Sequence, residues 1–355
     1  MTEQTTPVAQ DEARVHQTTV VTADRPLDPS AIMQLATGYW ASAVLLAANE
    51  LGVFKALVHG AQPAPDIADG LRVDAQALAR LLDACCGLNL LAKQGDNYIL
   101  PSVSAAYLVP GEPAYLGNAL RWARDQYSGW GRLADSVRTG SPAVEPEKHL
   151  GGDPAETRTF VLGMHDRAMG VARGVVRHLD LEGCDNLLDV GGGPGTYSIL
   201  LAGHYPNLRA TVLDLPGVIA VADELIAEQG LQDRVDTRAG DATFGDYGEN
   251  RYDAILFSGV LHQMAPATIE RMFAAAHRAL KSGGRVLVSD IMADATKTQP
   301  VFAALFSLQM LLSSREGGVF AVESCEAWLE EAGFHSVTVE RIPPPLPYTV
   351  VTARK

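Results

Sequence analysis

The sequence predicts an α/β protein, in which an all-helical N-terminal region precedes an open, mostly parallel β-sheet. From residue 186 onward, short apolar or β-branched runs alternate with helical stretches, as in a parallel sheet with crossover helices. The predicted strands are Asn186–Val190, Ala210–Leu215, Arg234–Gly240, Tyr252–Ser258, Arg285–Ser289, Ser336–Ile342 and Tyr348–Ala353. The short link Pro343–Pro347 leaves no room for a crossover helix, so the last two strands are predicted to be antiparallel.

The N-terminal region has the pattern of a winged-helix module. Asp28-Pro29 is a typical helix start, and apolar residues at three- and four-residue spacing follow it until Gly52. Residues 53–92 are typical of short amphipathic helices, and Gln94-Gly95-Asp96-Asn97 between two short apolar runs indicates a hairpin. Helices followed by a small hairpin predict the winged helix.

The chain is too long for one ordinary hydrophobic core, so more than one domain is expected for its 355 residues. We predict a disordered arm at 1–27, a winged-helix dimerisation domain at 28–110, a helical connector at 111–180 and a sheet domain at 181–355. The connector holds several of the large aromatic side chains, which pack between domains or line a pocket for a flat apolar ligand.

Charge and composition exclude several classes of function. The formal net charge of −14 disfavours a nucleic-acid partner, and the helix expected to enter a DNA groove, 74–90, carries more acidic than basic residues. We identify no secretory signal and no membrane span. The four cysteines form no CxxC pair and have no histidine at ligand spacing, which predicts reduced, buried thiols in a cytoplasmic protein.

A glycine-rich turn follows the first predicted strand of the sheet. The run Leu-Leu-Asp-Val-Gly-Gly-Gly-Pro-Gly ends at Gly195, and a helix begins at Thr196. Its G-x-G-x-G spacing places threonine where a dinucleotide site has its third glycine, so a pyrophosphate is not favoured. A smaller anion, such as an amino-acid carboxylate, could still bind the backbone amides. The alternative is a tight turn without a ligand.

Acidic residues end the strands on this side of the sheet. Asp189 lies in the first strand, Asp214 ends the second, and Asp241 follows Gly240 at the end of the third. Asp214 is placed to accept hydrogen bonds from both hydroxyls of a ribose, and Asp241 to face an adenine amine. Because the acids surround one crevice, they also suit a cationic sulfonium group. The sequence therefore predicts a nucleoside site with an affinity for positive charge.

Four motifs in this order resemble a known enzyme family. LLDVGGGPG, LDLPGVI, RAGDATF and FSGVLH resemble the small-molecule O-methyltransferases of plant caffeate and bacterial antibiotic pathways, over roughly residues 30–355. The resemblance implies a Rossmann-like, seven-stranded methyltransferase domain, a winged-helix homodimer, and S-adenosyl-L-methionine as cofactor without metal. From position and resemblance together, we expect the cofactor to contact Asp189, Gly191, Gly193, Gly195, Asp214, Leu215, Gly240, Asp241, Ala242 and Ser258.

The resemblance implies that His262 is a general base, and the position of this residue after the fourth strand agrees. A sulfonium-bound methyl group is already electrophilic, so the enzyme has to align the attacking atom and remove its proton. Asp290, at the end of the fifth strand, could orient the imidazole and stabilise its charged form. A structural histidine is the alternative.

Three departures from the family leave other reactions open. The histidine is followed by Gln263 instead of Asp, Ser258 stands where the family often has a cofactor-contacting lysine, and residues 317–322 lack the family's second glutamate. One acid instead of two would support His262. Transfer to carbon or nitrogen therefore stays open, as does an enzyme that retains the cofactor without methyl transfer.

The expected acceptor is a small aromatic secondary metabolite with a phenolic or enolic hydroxyl. The resemblance places Met164 and a helix around 302–310 beside it, whereas core packing is the alternative for this apolar helix face. An amide at Gln309 would need a hydrogen-bond partner, which an acceptor could supply. We expect acceptor contacts from Trp122, Tyr127, Trp130, Met164, Phe306, Gln309 and Met310.

Overall fold

The computed structural model describes residues 28–145, 148–343 and 347–355, with the side chains of 148 and 149 left out. The predicted arm at 1–27 and part of the link Pro343–Pro347 lie outside the described residues. The described residues divide into two compact units, one that ends at Ser42 and one that begins at Ala43. The domain boundaries that we place near 110 and 180 stay predictions.

The first described helices are α1 (Ser30–Thr37) and α2 (Tyr39–Leu51). The Asp28 carboxylate accepts a hydrogen bond from the Ser30 amide at the start, and Gly52 with φ of 78° follows the last turn, as predicted. The stretch Ser30–Leu51 is long and apolar enough to cross a membrane by length and composition, which the sequence analysis did not anticipate. Helices of soluble proteins meet the same criterion, so this feature alone does not indicate a membrane.

A small helical bundle with a three-stranded sheet follows, and it has its own hydrophobic core. It comprises α3 (Val53–Ala56), β1 (Gln62–Pro63), α4 (Ala64–Leu71), α5 (Ala75–Gly87), β2 (Ala92–Gln94), β3 (Asn97–Ile99) and α6 (Ser102–Leu108). The antiparallel pair β2–β3 confirms the predicted hairpin. Strand β1 was not predicted, because it has only two residues and one is proline. Phe54, Ile67 and Leu82 are fully buried in this core.

The connector is helical, as predicted, with α7 (Gly117–Trp130), α8 (Leu133–Thr139), a π-helical turn (Lys148–Gly152) and α9 (Pro154–Val175). Helices α7 and α9 approach closely at Gly163, where an added Cβ would lie 3.1 Å from the Trp122 Cβ. The Asp166 carboxylate accepts a hydrogen bond from the Asn118 amide at 2.9 Å and joins the two helices. These contacts fix the face of α9 that carries Met164.

The main sheet has seven strands among the described residues, in the order β6-β5-β4-β7-β8-β10-β9. They are β4 (Asn186–Val190), β5 (Arg209–Asp214), β6 (Val235–Ala239), β7 (Tyr252–Ser258), β8 (Leu280–Asp290), β9 (His335–Arg341) and β10 (Thr349–Arg354). The first five are mutually parallel. Strand β10 is antiparallel to β9, as predicted, and it is also antiparallel to β8. Strand β8 begins earlier than predicted, because Gly283 and Gly284 interrupt its apolar pattern while Leu280 still pairs with Tyr252.

Helices cover both faces of this sheet. They are α10 (Thr196–His204), α11 (Pro216–Glu228), α12 (Pro266–Ala279), α13 (Val301–Ser313) and α14 (Val322–Glu331). One core includes Leu201 and Val212, and the other includes Phe257, Phe273 and Leu329. The chain order reverses on the two sides of β4, and open α/β sheets bind ligands at the carboxyl ends of strands at such a point.

Candidate active site

A cavity of about 380 Å³ lies at the carboxyl ends of β4, β5, β6 and β7. Its volume is typical of small-molecule sites. Part of its wall is formed by the glycine turn and acidic residues, and another part by His262 and apolar side chains of α9 and α13. The cavity therefore joins the two groups of residues that the sequence analysis assigned to cofactor and acceptor.

The glycine turn has a backbone that other residues adopt only with strain. Gly191, Gly193 and Gly195 have φ of 64°, 56° and 71°. A Cβ on Gly191 would lie 2.6 Å from the Val260 Cγ2, whereas a Cβ on Gly193 would have nothing within 4 Å. Gly191 and Gly193 line the cavity, but Gly195 does not, because it caps α10 behind the turn. The expected cofactor contact of Gly195 is not supported by this placement.

The amides of the turn are already used within the chain. The amides of Gly191, Gly193 and Gly195 donate to the Leu213 carbonyl, the Asp214 carboxylate and the Gly192 carbonyl, at 2.8, 2.8 and 2.9 Å. This geometry gives no support to the suggestion that a ligand carboxylate binds the amides of the turn. The three hydrogen bonds stabilise the turn, and the one from Gly193 holds it against Asp214.

Asp214 and Asp241 line the cavity, as predicted. The Asp214 carboxylate accepts hydrogen bonds from the amides of Gly193 and Leu215, and burial raises its pKa to about 6 despite these bonds. Asp241 accepts hydrogen bonds from the Thr243 amide and hydroxyl, which holds its side chain at the start of the 3₁₀ turn Ala242–Phe244. Both acids are thus fixed before any ligand binds.

Asp189 does not line the cavity, so its predicted cofactor contact is not supported by its placement. Its side chain is fully buried beneath the glycine turn, where a Cβ on Gly192 would lie 2.7 Å from its Cγ. The Ser198 hydroxyl donates to one carboxylate oxygen at 2.7 Å, and the other has no partner among the described residues. Burial raises the pKa of Asp189 to about 7. The residue supports the turn from below.

The other predicted cofactor residues line the cavity: Leu215, Gly240, Ala242 and Ser258. Sequence reasoning missed Tyr197, Tyr348 and Arg167, which also line it. Arg167 could have been found, because it lies three residues after Met164 on the same face of one helix. Tyr348 could not have been found from the sequence. It lies at the site because the next residue, Thr349, pairs with Asp290 in the sheet.

His262 and Asp290 form a buried hydrogen-bonded pair. The His262 Nδ1 lies 2.7 Å from the Asp290 Oδ1, and Asp290 also accepts hydrogen bonds from the amides of Leu261, His262 and Ile291. An ionised carboxylate only accepts, so this geometry places the imidazole proton on Nδ1 and leaves Nε2 able to accept a proton. His262 lines the cavity, whereas Asp290 lies behind it.

Asp290 is the one carboxylate within 4.0 Å of a His262 nitrogen in the described part of the chain. The loop that lacks the second glutamate packs on the backbone instead. The Gly318 amide donates to the His262 carbonyl at 2.9 Å, and a Cβ on Gly317 would lie 2.6 Å from that oxygen. Glycine at 317 is therefore required by close packing.

The predicted acceptor residues divide into two groups. Trp122, Met164, Phe306, Gln309 and Met310 line the cavity. Tyr127 and Trp130 do not, and each is 37% exposed, so their predicted direct contact with the acceptor is not supported. Tyr127 projects from another face of α7 than Trp122, whereas Trp130, two turns after Trp122, contacts Gln309 at the cavity wall instead of lining the cavity itself.

Gln309 already has protein partners. Its Oε1 accepts a hydrogen bond from the Trp130 indole at 2.7 Å, and its Nε2 lies 3.2 Å from both the Gln126 Oε1 and the Ser313 Oγ. The hydrogen-bond partner that an acceptor could have supplied is therefore already present within the chain. Gln309 instead joins α13 to α7 at the wall of the cavity.

Family models match most of the chain. An O-methyltransferase domain matches residues 130–335, and an O-methyltransferase dimerisation domain matches residues 33–110. The chain belongs to the O-methyltransferase family. It is therefore an S-adenosyl-L-methionine-dependent methyltransferase with the predicted fold, an N-terminal dimerisation domain and a seven-stranded sheet.

Individual relatives agree with this assignment. The chain is 36% identical to 3-hydroxy-5-methyl-1-naphthoate 3-O-methyltransferase of Streptomyces sahachiroi, over 89% of the chain and 92% of the relative. It is 33% identical to N,N-dimethyltransferase OxyT of Streptomyces rimosus, over 89% and 95%. The crystal structure of human N-acetylserotonin methyltransferase in complex with S-adenosylmethionine superposes with a TM-score of 0.84 at 27% identity, covering 94% of this chain and 99% of that one.

Proposed function

We propose that this methyltransferase methylates the phenolic or enolic hydroxyl of a small aromatic secondary metabolite, with His262 as general base and Asp290 as the residue that orients it. The observation that supports this most is the 2.7 Å hydrogen bond between the His262 Nδ1 and the Asp290 Oδ1 beside a cavity with two fixed acids. The name of the naphthoate 3-O-methyltransferase supports a fused aromatic hydroxyl compound as acceptor.

The residues present fit S-adenosyl-L-methionine. Open space at Gly193 admits a ligand against the backbone, and Asp214 has carboxylate lone pairs beyond its two amide bonds for ribose hydroxyls. Asp241 adds negative charge at the same end of the cavity, which favours a sulfonium. We assign Gly191, Gly193, Asp214, Leu215, Gly240, Asp241, Ala242 and Ser258 to cofactor binding.

The chain's own contribution to the reaction is to position an oxygen atom and remove its proton. The cofactor supplies an electrophilic methyl group on its sulfonium. His262 Nε2 accepts the hydroxyl proton as the oxygen attacks, and the Asp290 carboxylate stabilises the imidazolium through Nδ1. Trp122, Met164, Phe306 and Met310 surround the aromatic rings and exclude water.

Product analysis tests this function. The purified chain is incubated with cofactor carrying a ¹³C-labelled methyl group and a panel of phenols, naphthols and aromatic amines. We expect one labelled methyl on oxygen, identified by mass spectrometry and by its carbon–proton correlation in NMR. Label found on ring carbon or on nitrogen, or on no acceptor while cofactor binding is intact, contradicts the proposal.

Transfer to nitrogen is the second candidate function. The relative OxyT carries the name of an N,N-dimethyltransferase at 33% identity, so this family scaffold includes nitrogen acceptors. A neutral amine attacks through its lone pair and needs less help from a base. The amines in the panel therefore distinguish the two functions, because an N-methyltransferase labels them and spares the naphthols.

We further propose that the enzyme is a homodimer and works in the cytoplasm. The dimerisation-domain match and a row of exposed apolar residues on α1 and α2, namely Ile32, Met33, Leu35, Tyr39 and Trp40, support the dimer. Four free cysteines suit a reducing compartment. Sedimentation equilibrium of the full chain tests the dimer, and a purely monomeric mass at micromolar concentration would contradict it.

A further inference from the structure

An arginine that forms no ion pair with any described carboxylate lines the cavity beside the predicted acceptor residue Phe306. Arg167 lies on α9, one helical turn after Met164, and among the described residues that line the cavity it is the only permanently positive side chain. None of the ion pairs within residues 28–145, 148–343 and 347–355 includes Arg167. Its charge therefore faces the cavity without a carboxylate partner.

Two aromatic residues position the guanidinium. The Arg167 Cζ lies 5.3 Å from the centre of the Phe306 ring, in a cation–π contact. The guanidinium also lies beside the Tyr348 hydroxyl. Burial raises the pKa of Tyr348, and the positive charge of Arg167 opposes this rise. An arginine held by neutral partners keeps donors available for an anion.

The same phenylalanine joins Arg167 to the base. The His262 ring centre lies 4.8 Å from that of Phe306, with the rings nearly perpendicular. Arg167 and His262 thus both contact one phenyl ring, so their separation is within the reach of substituents on two fused aromatic rings. Asp214 and Asp241 line the same cavity, and Asp214 is hydrogen-bonded to the Gly193 amide in the glycine turn.

We propose that Arg167 binds a carboxylate on the acceptor, so that the substrate is an aromatic hydroxy acid whose hydroxyl is directed at His262. This inference rests on the proposed O-methylation. A guanidinium pairs with a carboxylate through two parallel hydrogen bonds, which fixes orientation as well as affinity. Because a partly buried charge is unfavourable without a counter-ion, the pair also favours acids over neutral analogues.

Three acceptors test the proposal: 3-hydroxy-1-naphthoic acid, its methyl ester and 2-naphthol. The wild-type chain is expected to methylate the acid with the highest kcat/KM. Arg167→Met lowers kcat/KM for the acid by about 10- to 100-fold, mainly through KM, and changes the two neutral acceptors little. Arg167→Lys retains part of the preference for the acid. Arg173→Met, an exposed arginine on the same helix, is the matched control and changes none of these values.

Other outcomes overturn the inference in distinguishable ways. A wild-type chain that prefers the ester or 2-naphthol shows that no carboxylate is recognised, whatever the variants do. An equal loss for acid and neutral acceptors in Arg167→Met indicates a structural role. A matching loss of cofactor affinity, measured by calorimetry, assigns Arg167 to the carboxylate of the cofactor. If the wild-type chain forms no O-methyl product from any of the three, the proposed function itself fails.

Discussion

Replacing Asp290 by asparagine changes one atom behind His262 and should remove most of the activity. Asp290 accepts four hydrogen bonds, one from the His262 Nδ1 and three from the amides of Leu261, His262 and Ile291. An asparagine has one acceptor oxygen and one donor nitrogen, so it cannot accept all four. The shape of the side chain is conserved, and only the hydrogen-bond pattern changes.

Either orientation of the asparagine amide is unfavourable. With its NH₂ group toward His262, Nδ1 has to become the acceptor, and the proton moves to Nε2, where the base is needed. With its oxygen toward His262, the NH₂ group meets the amides of Leu261 and His262, donor against donor. The loss of a positioned general base is worth about 10²- to 10⁴-fold, or roughly 3–5 kcal/mol in the barrier.

Single-turnover rates with saturating cofactor measure this effect, and calorimetry of cofactor binding shows that the variant is folded. Asp233→Asn, an exposed acid in the loop after α11, is the matched control and should keep the wild-type rate. A rate for Asp290→Asn within a few-fold of wild type, at unchanged cofactor affinity, would refute the role of Asp290.

Two further changes test the cofactor end of the cavity. Since the pKa of Asp214 is about 6, its carboxylate is ionised above that pH and protonated below it. The affinity for the cofactor should therefore be constant near pH 8 and should fall by up to about tenfold per pH unit below pH 6. Asp214→Asn should flatten this calorimetric profile and weaken binding; an unchanged profile would exclude Asp214. Gly191→Ala places a Cβ on a residue with φ of 64° and within 2.6 Å of Val260, and it should lower the free energy of unfolding by about 2 kcal/mol. Gly203→Ala is the control, because a Cβ there has nothing within 4 Å, and it should not lower the free energy of unfolding measured by thermal denaturation. Equal melting temperatures for the two alanine variants would contradict the close packing at Gly191.

Local patterns predicted the sheet and the pair His262–Asp290, because each follows from where a strand ends. Strand alternation and turn residues gave Asn186–Val190 and Tyr252–Ser258 with the observed bounds. A residue directly after a strand lies at the carboxyl edge of a parallel sheet, so Asp290 and His262 were expected to meet.

What could not be predicted depends on direction and on distant pairing. Asp189 lies in the strand that was predicted, but its side chain lies beneath the glycine turn. This direction is shown only by its close approach to Gly192 in the structure. Gln309 has two partners on α7, Trp130 and Gln126, which lie 179 and 183 residues earlier in the chain. Arg167 is a different case: its spacing from Met164 could have indicated it, but it was overlooked because a lone arginine on a helix is usually exposed.

The central claim is that His262 removes the proton of the acceptor hydroxyl. The most direct test is whether the need for His262 disappears when the acceptor is already ionised. Methyl transfer by wild type, His262→Ala and the exposed control His204→Ala is measured with a neutral naphthol and with a nitro-substituted naphthol that is already ionised at the assay pH. We predict that His262→Ala slows the neutral acceptor by about 100-fold or more and the ionised acceptor by less than about tenfold, with cofactor affinity unchanged. An equal loss with both acceptors would contradict the claim.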